Sequence, residues 1–366
     1  MSIASALHDV HAELGASFTD FAGWSMPLRY SSELAEHKAV RATAGLFDLS
    51  HMGEIEVSGA KAAAALDYAM VGKLSAVKVG RARYTMLCAA DGGVLDDLVV
   101  YRLAEDRFMV VANAANVAVV AAALTERARG FTQATVTDRS AQFALIALQG
   151  PRALRILRTL TEVDLDALRY YASVPATVAG IEVLLARTGY TGEDGFELYV
   201  EPRQAPPLWR AAQAAGQEHG LLPAGLACRD TLRLEAGMPL YGNELTADRT
   251  PFDANLGRVV KLDKPGDFVG REALAKRAEV TGSRVLAGLK GTGRRAGRHG
   301  YAVLNAAGET VGEITSGALS PTLGVPVALA YLEADCARQG TNLRVDIRGR
   351  DEAVTVAEVP FYQRPS

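Results

Sequence analysis

Residues 83–101, RYTMLCAADGGVLDDLVVY, carry the clearest structural signal in the chain. Two β-rich runs flank Asp91-Gly92-Gly93, which reads as a β-hairpin. The second run is interrupted by two adjacent carboxylates, Asp96 and Asp97. Successive strand side chains face opposite ways, so the pair cannot share one site. Asp97 shares a face with Leu95, Val99 and Tyr101, and Asp96 shares the other with Val94, Leu98 and Val100. Alternation leaves open which of the two serves a site and which is a structural or solvent-facing residue. An aspartate partly buried without a cation has a raised pKa and can handle protons. A two-residue loop at Asp91-Gly92 pairs Ala90 with Gly93 and sets Tyr84 opposite Val99, on the face of Asp97. A three-residue loop turns Tyr84 to the other face.

Outward from the hairpin, Glu54–Val57 alternates as a short strand, and Ser58 is placed to cap a helix through GAKAAAALDYAM. Downstream, Arg107–Ala112 reads as a strand, Asn113 as the cap of an Ala/Val-rich helix, and Gln133–Asp138 as a further strand. Residues 52–138 therefore read β-α-β-β-β-α-β, an α+β unit. Residues 33–44 predict a helix capped by Ser32, and Phe143–Leu148 a strand. Residues 175–201 read as strands around Gly180 and the Gly189–Gly195 turn cluster, with helices at 205–219 and 225–237. After residue 280 short strands alternate with glycine turns, as in GYAVLNAAGETVGEITSG (300–317), which predicts a small β-barrel or sandwich. The charged, Pro- and Gly-containing KLDKPGDFVG (261–270) reads as the linker.

At 366 residues and 38.8 kDa the chain exceeds one hydrophobic core, and two or three domains are expected. The 49% apolar and 22% charged composition excludes a disordered or collagen-like chain. A net charge of −3 gives no general basic field, so no nucleic-acid partner is expected. Cys88, Cys228 and Cys336 are far apart and form no CxxC, which points away from a disulfide framework or thiolate zinc site and toward a reducing compartment. The start, MSIASALHDVHAEL, lacks a signal-peptide pattern, and no stretch approaches a bilayer span. A cytoplasmic protein without membrane contact is expected. No GxxxxGK[ST], HExxH or GxSxG occurs, and the six histidines give no i,i+4 pair, so no bound metal is expected.

Two further clusters carry polar chemistry. In Arg187-Thr-Gly-Tyr190-Thr-Gly-Glu193-Asp-Gly195-Phe-Glu197, three glycines in seven residues allow tight turning and close approach to a ligand. The same segment reads equally as a polar turn ending in a strand-edge Glu. In Cys228-Arg229-Asp230-Thr-Leu-Arg233-Leu-Glu235, the arginines lie four apart on one helical face. They also suit a salt-bridge-laced helix with Asp230 and Glu235.

Together these segments are familiar. FAGWSMPLRY (21–30), GLFDLSHMGEIEVSG (45–59), GGVLDDLVVY (92–101), LIALQGP (145–151), RTGYTGEDGFELY (187–199), CRDTLRLEAGMPLYGNEL (228–245) and ITSGALSP (314–321) occur in this order. From about residue 5 to PFYQR (360–364) the chain resembles the aminomethyltransferase, or T-protein, family of the glycine cleavage system. The resemblance implies an α+β fold of three domains around a central cavity, with a C-terminal β-barrel. Residues 1–51 plus 139–270 would form a discontinuous folate-binding domain, 52–138 an inserted α+β domain carrying Asp97, and 271–366 the barrel domain. It further implies transfer of a one-carbon unit from an aminomethyl-lipoyl H-protein to tetrahydrofolate, the co-substrate. The products would be 5,10-methylenetetrahydrofolate, ammonia and the dihydrolipoyl carrier, with no metal involved.

Residue by residue, the resemblance assigns the catalytic carboxylate to Asp97, the pterin-binding carboxylate to Glu197, and binding of the anionic folate tail to Arg229 and Arg364. Tyr84, Tyr170 and Tyr190 match aromatic positions beside the folate rings, and Met52 and Asn113 match cavity positions. Either residue of the Tyr170-Tyr171 pair can fill its aromatic position. Asp253 stands where Glu is more usual, and no role is carried onto it. The folate reading predicts the two-residue hairpin register, or a four-residue loop of equal parity, which brings Tyr84 and Asp97 to one face; odd parity without a bulge would count against pairing them in one site. A sister folate-dependent demethylase is the alternative enzyme. A non-enzymatic folate-binding module for iron–sulfur assembly is the alternative outside catalysis, but such relatives carry K-G-C-Y-x-G-Q-E where this chain has MPLYGNEL (238–245).

Overall fold

The computed structural model describes residues 2–280 and 282–364. The chain forms two compact units, one made of residues up to Thr85 together with Asp97–Arg229, the other of Met86–Asp96 together with residues from Asp230 onward.

In the first unit a six-stranded sheet runs in the order Ser173–Val178, Ile181–Ala186, Gly195–Val200, Ala144–Gln149, Ala44–Asp48, Leu221–Pro223. Ala144–Gln149 is buried along its whole length, as its unbroken apolar run requires of a strand covered on both faces. Leu208, Trp209 and Ala212 of the helix Ala205–Gly216 join Leu46, Ile146, Leu148, Phe196 and Leu198 in one core. A five-stranded sheet has the order Ala82–Cys88, Val94–Ala104, Arg107–Ala112, Gly53–Ser58, Thr135–Asp138. Its register sets Val99 opposite Val111 and Val111 opposite Glu54, so these three share one face.

Three local expectations are corrected. Ser58 ends its strand and caps nothing; the following helix is Ala62–Ala69, with Lys61 at its N-cap. Asn113 precedes a short 3₁₀ turn and makes no side-chain cap; its Nδ2 instead donates to Asp97. The hairpin loop has three residues, not two. Gly92 N–H donates to the Ala89 carbonyl (3.0 Å) and Ala89 N–H to that of Gly93 (2.8 Å), with Gly92 at φ +90°. A left-handed glycine at that position is what the three-residue geometry demands. At the open end, Arg102 N–H donates to the Arg81 carbonyl (2.9 Å), a pairing that carries Tyr84 opposite Val99. The tip pairing, continued without a break, carries Tyr84 opposite Leu98. The two ends differ by one residue, so an extra residue is absorbed between them, and Tyr84 regains the face of Asp97.

Ser32 caps Glu33–Ala42 as expected, its hydroxyl accepting from Ala35 N–H at 3.1 Å.

In the second unit, six strands close a barrel in the order Arg284–Gly291, Pro326–Glu333, Thr310–Leu319, Ala302–Leu304, Asn342–Asp346, Asp351–Ala357. Leu289, Val303, Ile314, Ala330, Leu332 and Val345 are among the side chains that fill it. The end of the helix Leu226–Glu235, from Asp230 on, lies in this unit and carries buried charge. Arg233, 1% exposed, pairs with Asp230 (2.7 Å) and Glu244 (2.9 Å) and donates to Ser316 Oγ (2.7 Å). Glu235 does not lace the helix; it accepts from the Thr322 hydroxyl (2.7 Å) and from Ser320. Arg233→Leu leaves the fully buried Glu244 uncompensated. It is expected to cost about 3–5 kcal/mol, read as a lowered denaturant midpoint.

Candidate functional site

The first unit gathers the polar residues singled out above. Asp97 lies on the face of Tyr101 and Val99. Tyr84 Oη donates to its Oδ2 (2.9 Å), and Asn113 Nδ2 to its Oδ1 (2.9 Å) and its carbonyl (3.1 Å). Two neutral donors thus fix the orientation of the carboxylate. Burial and the Asp97 charge push the Tyr84 phenol up, so it stays protonated and donating.

Glu197 enters the strand Gly195–Val200 directly after the glycine-rich loop. Its Oε2 accepts the Thr188 hydroxyl and, at 3.4 Å, the Tyr101 hydroxyl. Tyr101 Oη and Thr188 Oγ1 lie 2.8 Å apart, and Tyr199 Oη donates to Tyr101 Oη at 3.4 Å. Burial pushes the Glu197 carboxyl up, opposed by Thr188, Arg229 and Tyr101. Oε1 has no hydrogen-bond partner among the described residues, so half of this half-buried carboxylate remains available.

The Arg229 guanidinium stands over the Tyr190 ring, 4.8 Å from its centroid, at cation–π range. His51, adjacent to Met52, is 3% exposed. Burial and the nearby Arg229 push it down to about 4, so the imidazole is neutral at physiological pH. Its Nδ1 has no hydrogen-bond partner among the described residues. Tyr170 is 43% exposed, its ring packed edge-on against Tyr171. Tyr171 is the more enclosed of the two; burial above all raises its phenol, and both Glu197 and Asp97 add to that. Met52 is half-buried. Arg364 belongs to the second unit and is exposed.

Sequence reading passed over four groups. Tyr101 was visible as a face-mate of Asp97 but looked apolar in company. Thr188 looked like a turn residue. Gln149 fell just beyond the expected strand Phe143–Leu148, whereas the observed strand ends on it. Glu54, 1% exposed, has its carboxyl raised mainly by burial, with Asp138 and Glu197 adding repulsion. Its place opposite Val111 is a matter of register, which no single-strand pattern reveals. Among the described residues, no group of three or more His, Cys, Asp or Glu could hold a metal ion, and no helix is long and apolar enough to cross a membrane.

A half-buried carboxylate near a cation and an aromatic ring, with a second carboxylate held by a phenol and an amide, suits a polar heterocycle at which charge develops. Comparison with known proteins decides the family. The sequence model of the GCVT N-terminal domain matches residues 7–264, and that of the glycine cleavage T-protein C-terminal barrel domain matches residues 284–363. The chain belongs to the glycine cleavage T-protein family. It is 62% identical to an aminomethyltransferase of Saccharopolyspora erythraea, over 98% of this chain and 97% of the relative. It is 61% identical to one of Streptomyces avermitilis at the same coverage. The crystal structure of the glycine cleavage system aminomethyltransferase T from Bartonella henselae superposes with a TM-score of 0.93 at 37% identity. That match covers 100% of this chain and 99% of the other. The chain is thus an aminomethyltransferase of the glycine cleavage system, a T-protein whose α+β fold ends in a closed barrel. The alternatives of a sister demethylase and an iron–sulfur assembly module are not favoured.

Proposed function

We propose that the first unit binds tetrahydrofolate and that Asp97 serves the transfer chemistry. What supports the reading above all is Glu197, a half-buried carboxylate with one oxygen engaged and one unpartnered among the described residues. A pterin presents adjacent N–H donors along one edge. Oε1 takes the first, and the second displaces the long Tyr101 contact at Oε2, giving a parallel charge-assisted pair. Tyr190 and Tyr171 flank the rings. Arg229 supplies positive charge for the anionic part of the substrate, and Arg364 is assigned to the folate tail by family resemblance. Met52 and Asn113 complete the wall, Asn113 by holding Asp97.

The one-carbon donor is a lipoyl H-protein bearing an aminomethyl group on sulfur. Cleavage of the carbon–sulfur bond leaves the electron pair on sulfur and a methylene iminium cation. The Asp97 carboxylate stabilises that cation and handles protons at folate nitrogen while N5 attacks carbon. Ammonia departs, and N10 closes the ring of 5,10-methylenetetrahydrofolate. The same reading divides the chain into 1–51 plus 139–270, 52–138 and 271–366, and places the reaction in the cytoplasm.

The choice between adjacent tyrosines has its own test in tetrahydrofolate titration. Tyr171→Ala is expected to weaken binding about tenfold, the worth of one stacked ring, and Tyr170→Ala to leave it within twofold. The reverse order assigns the ring-packing role to Tyr170.

A further inference from the structure

Between Arg187 and Asp194 the chain has no regular secondary structure, yet it carries Thr188, which holds Glu197, and Tyr190, which lies under Arg229. Such a segment needs something else to fix its shape. The side chain of Gln149 lies within it. Gln149 is 1% exposed and ends the strand Ala144–Gln149, directly opposite Gly195. Its Nε2 donates to the Thr188 carbonyl (3.0 Å), and its Oε1 accepts the Thr191 hydroxyl (2.9 Å). The Thr188 carbonyl can only accept, which fixes the orientation of the amide.

The glycines fit around this group. A Cβ on Gly189 or on Gly195 would collide with the Gln149 amide, so the two positions are glycine because that amide fills the space between them. Gly192, at φ +80°, takes the left-handed conformation that the turn between them needs. The far end is held separately. Arg41 donates to the Thr191 carbonyl (2.7 Å) and pairs with Glu193 (2.8 Å), and Gly150 N–H donates to the Asp194 carbonyl (2.8 Å).

We propose that Gln149 is a positioning residue for folate binding: its amide sets the loop that fixes Thr188, and Thr188 fixes Glu197. Two motifs distant in sequence, LIALQGP and RTGYTGEDG, are on this account one device. The inference rests on the assignment of Glu197 to the pterin.

The test uses the full-length enzyme, titrated with tetrahydrofolate and assayed with aminomethyl-lipoyl H-protein. Gln149→Leu keeps the bulk but leaves the Thr188 carbonyl and Thr191 hydroxyl unmatched. It should raise the Kd for tetrahydrofolate at least tenfold while kcat at saturating folate stays within threefold. A residue that only stabilises the fold would lower the unfolding temperature and leave Kd alone, and that result overturns the proposal. Thr191→Val and Thr191→Ser form a second pair, which decides the matter if Gln149→Leu does not fold. Valine should weaken binding at least threefold, and serine, which keeps the hydroxyl, should restore it; wild-type binding by the valine variant overturns the proposal. Glu197→Ala run alongside separates the failures. Lost affinity there with normal affinity in Gln149→Leu removes only Gln149, whereas normal affinity in Glu197→Ala removes the pterin assignment and this inference with it.

Discussion

Asp97→Asn is expected to lower turnover about 10²–10⁴-fold, the range for removal of one positioned acid–base or charge-stabilising group. The substitution keeps the volume and removes only the charge. In the wild type, Tyr84 and Asn113 both donate to the carboxylate. In the variant the amide offers one acceptor, and the Tyr84 hydroxyl can rotate to accept from its NH₂ group. The site therefore keeps its shape, and tetrahydrofolate should bind within about threefold of wild type. The cost falls on the step in which thiolate leaves and the iminium forms, because that cation no longer faces an anion. Rapid-quench measurement of ammonia release at saturating folate reads that step. A rate within tenfold of wild type would remove Asp97 from the chemistry.

Glu197→Gln should do the opposite. Hydrogen bonds to a charged group are worth about 1.5–3 kcal/mol, so losing the anion should weaken tetrahydrofolate binding roughly 10- to 100-fold. Turnover at saturating folate should change far less. Burial raises the Glu197 carboxyl, so the accepting anion is lost at a higher pH than for an ordinary carboxylate. Wild-type affinity should therefore fall as pH is lowered through that raised value and recover above it, while the glutamine variant, which has nothing to titrate there, should be flat. An equally steep pH profile in both proteins would place the titrating group elsewhere.

Much of this is legible in the amino-acid sequence alone. The alternation of VLDDLVVY separates Asp96 from Asp97, and the glycine-dense strand pattern after residue 280 points to a small barrel or sandwich, of which the chain forms the barrel. The hairpin loop was misjudged because Gly92 and Gly93 suit two-residue and three-residue turns alike. Only backbone pairing shows that Gly92 takes the left-handed position. Asn113 looked like a helix cap because capping is the commonest use of an asparagine after a strand; its amide instead meets a carboxylate on the adjacent strand. Asp230 and Arg233 do pair along their helix, as their spacing suggests, but Arg233 also reaches Glu244 and Ser316, and Glu235 accepts from Ser320 and Thr322, partners that come from other segments. Gln149 was invisible for the same reason. Its meaning lies in two glycines forty and more residues away.

The most direct test of the account is single-turnover ammonia release from aminomethyl-lipoyl H-protein, with and without tetrahydrofolate. The predicted result is release that depends on folate and is matched by one equivalent of 5,10-methylenetetrahydrofolate. No release, or release indifferent to folate, in protein shown separately to bind tetrahydrofolate would contradict it.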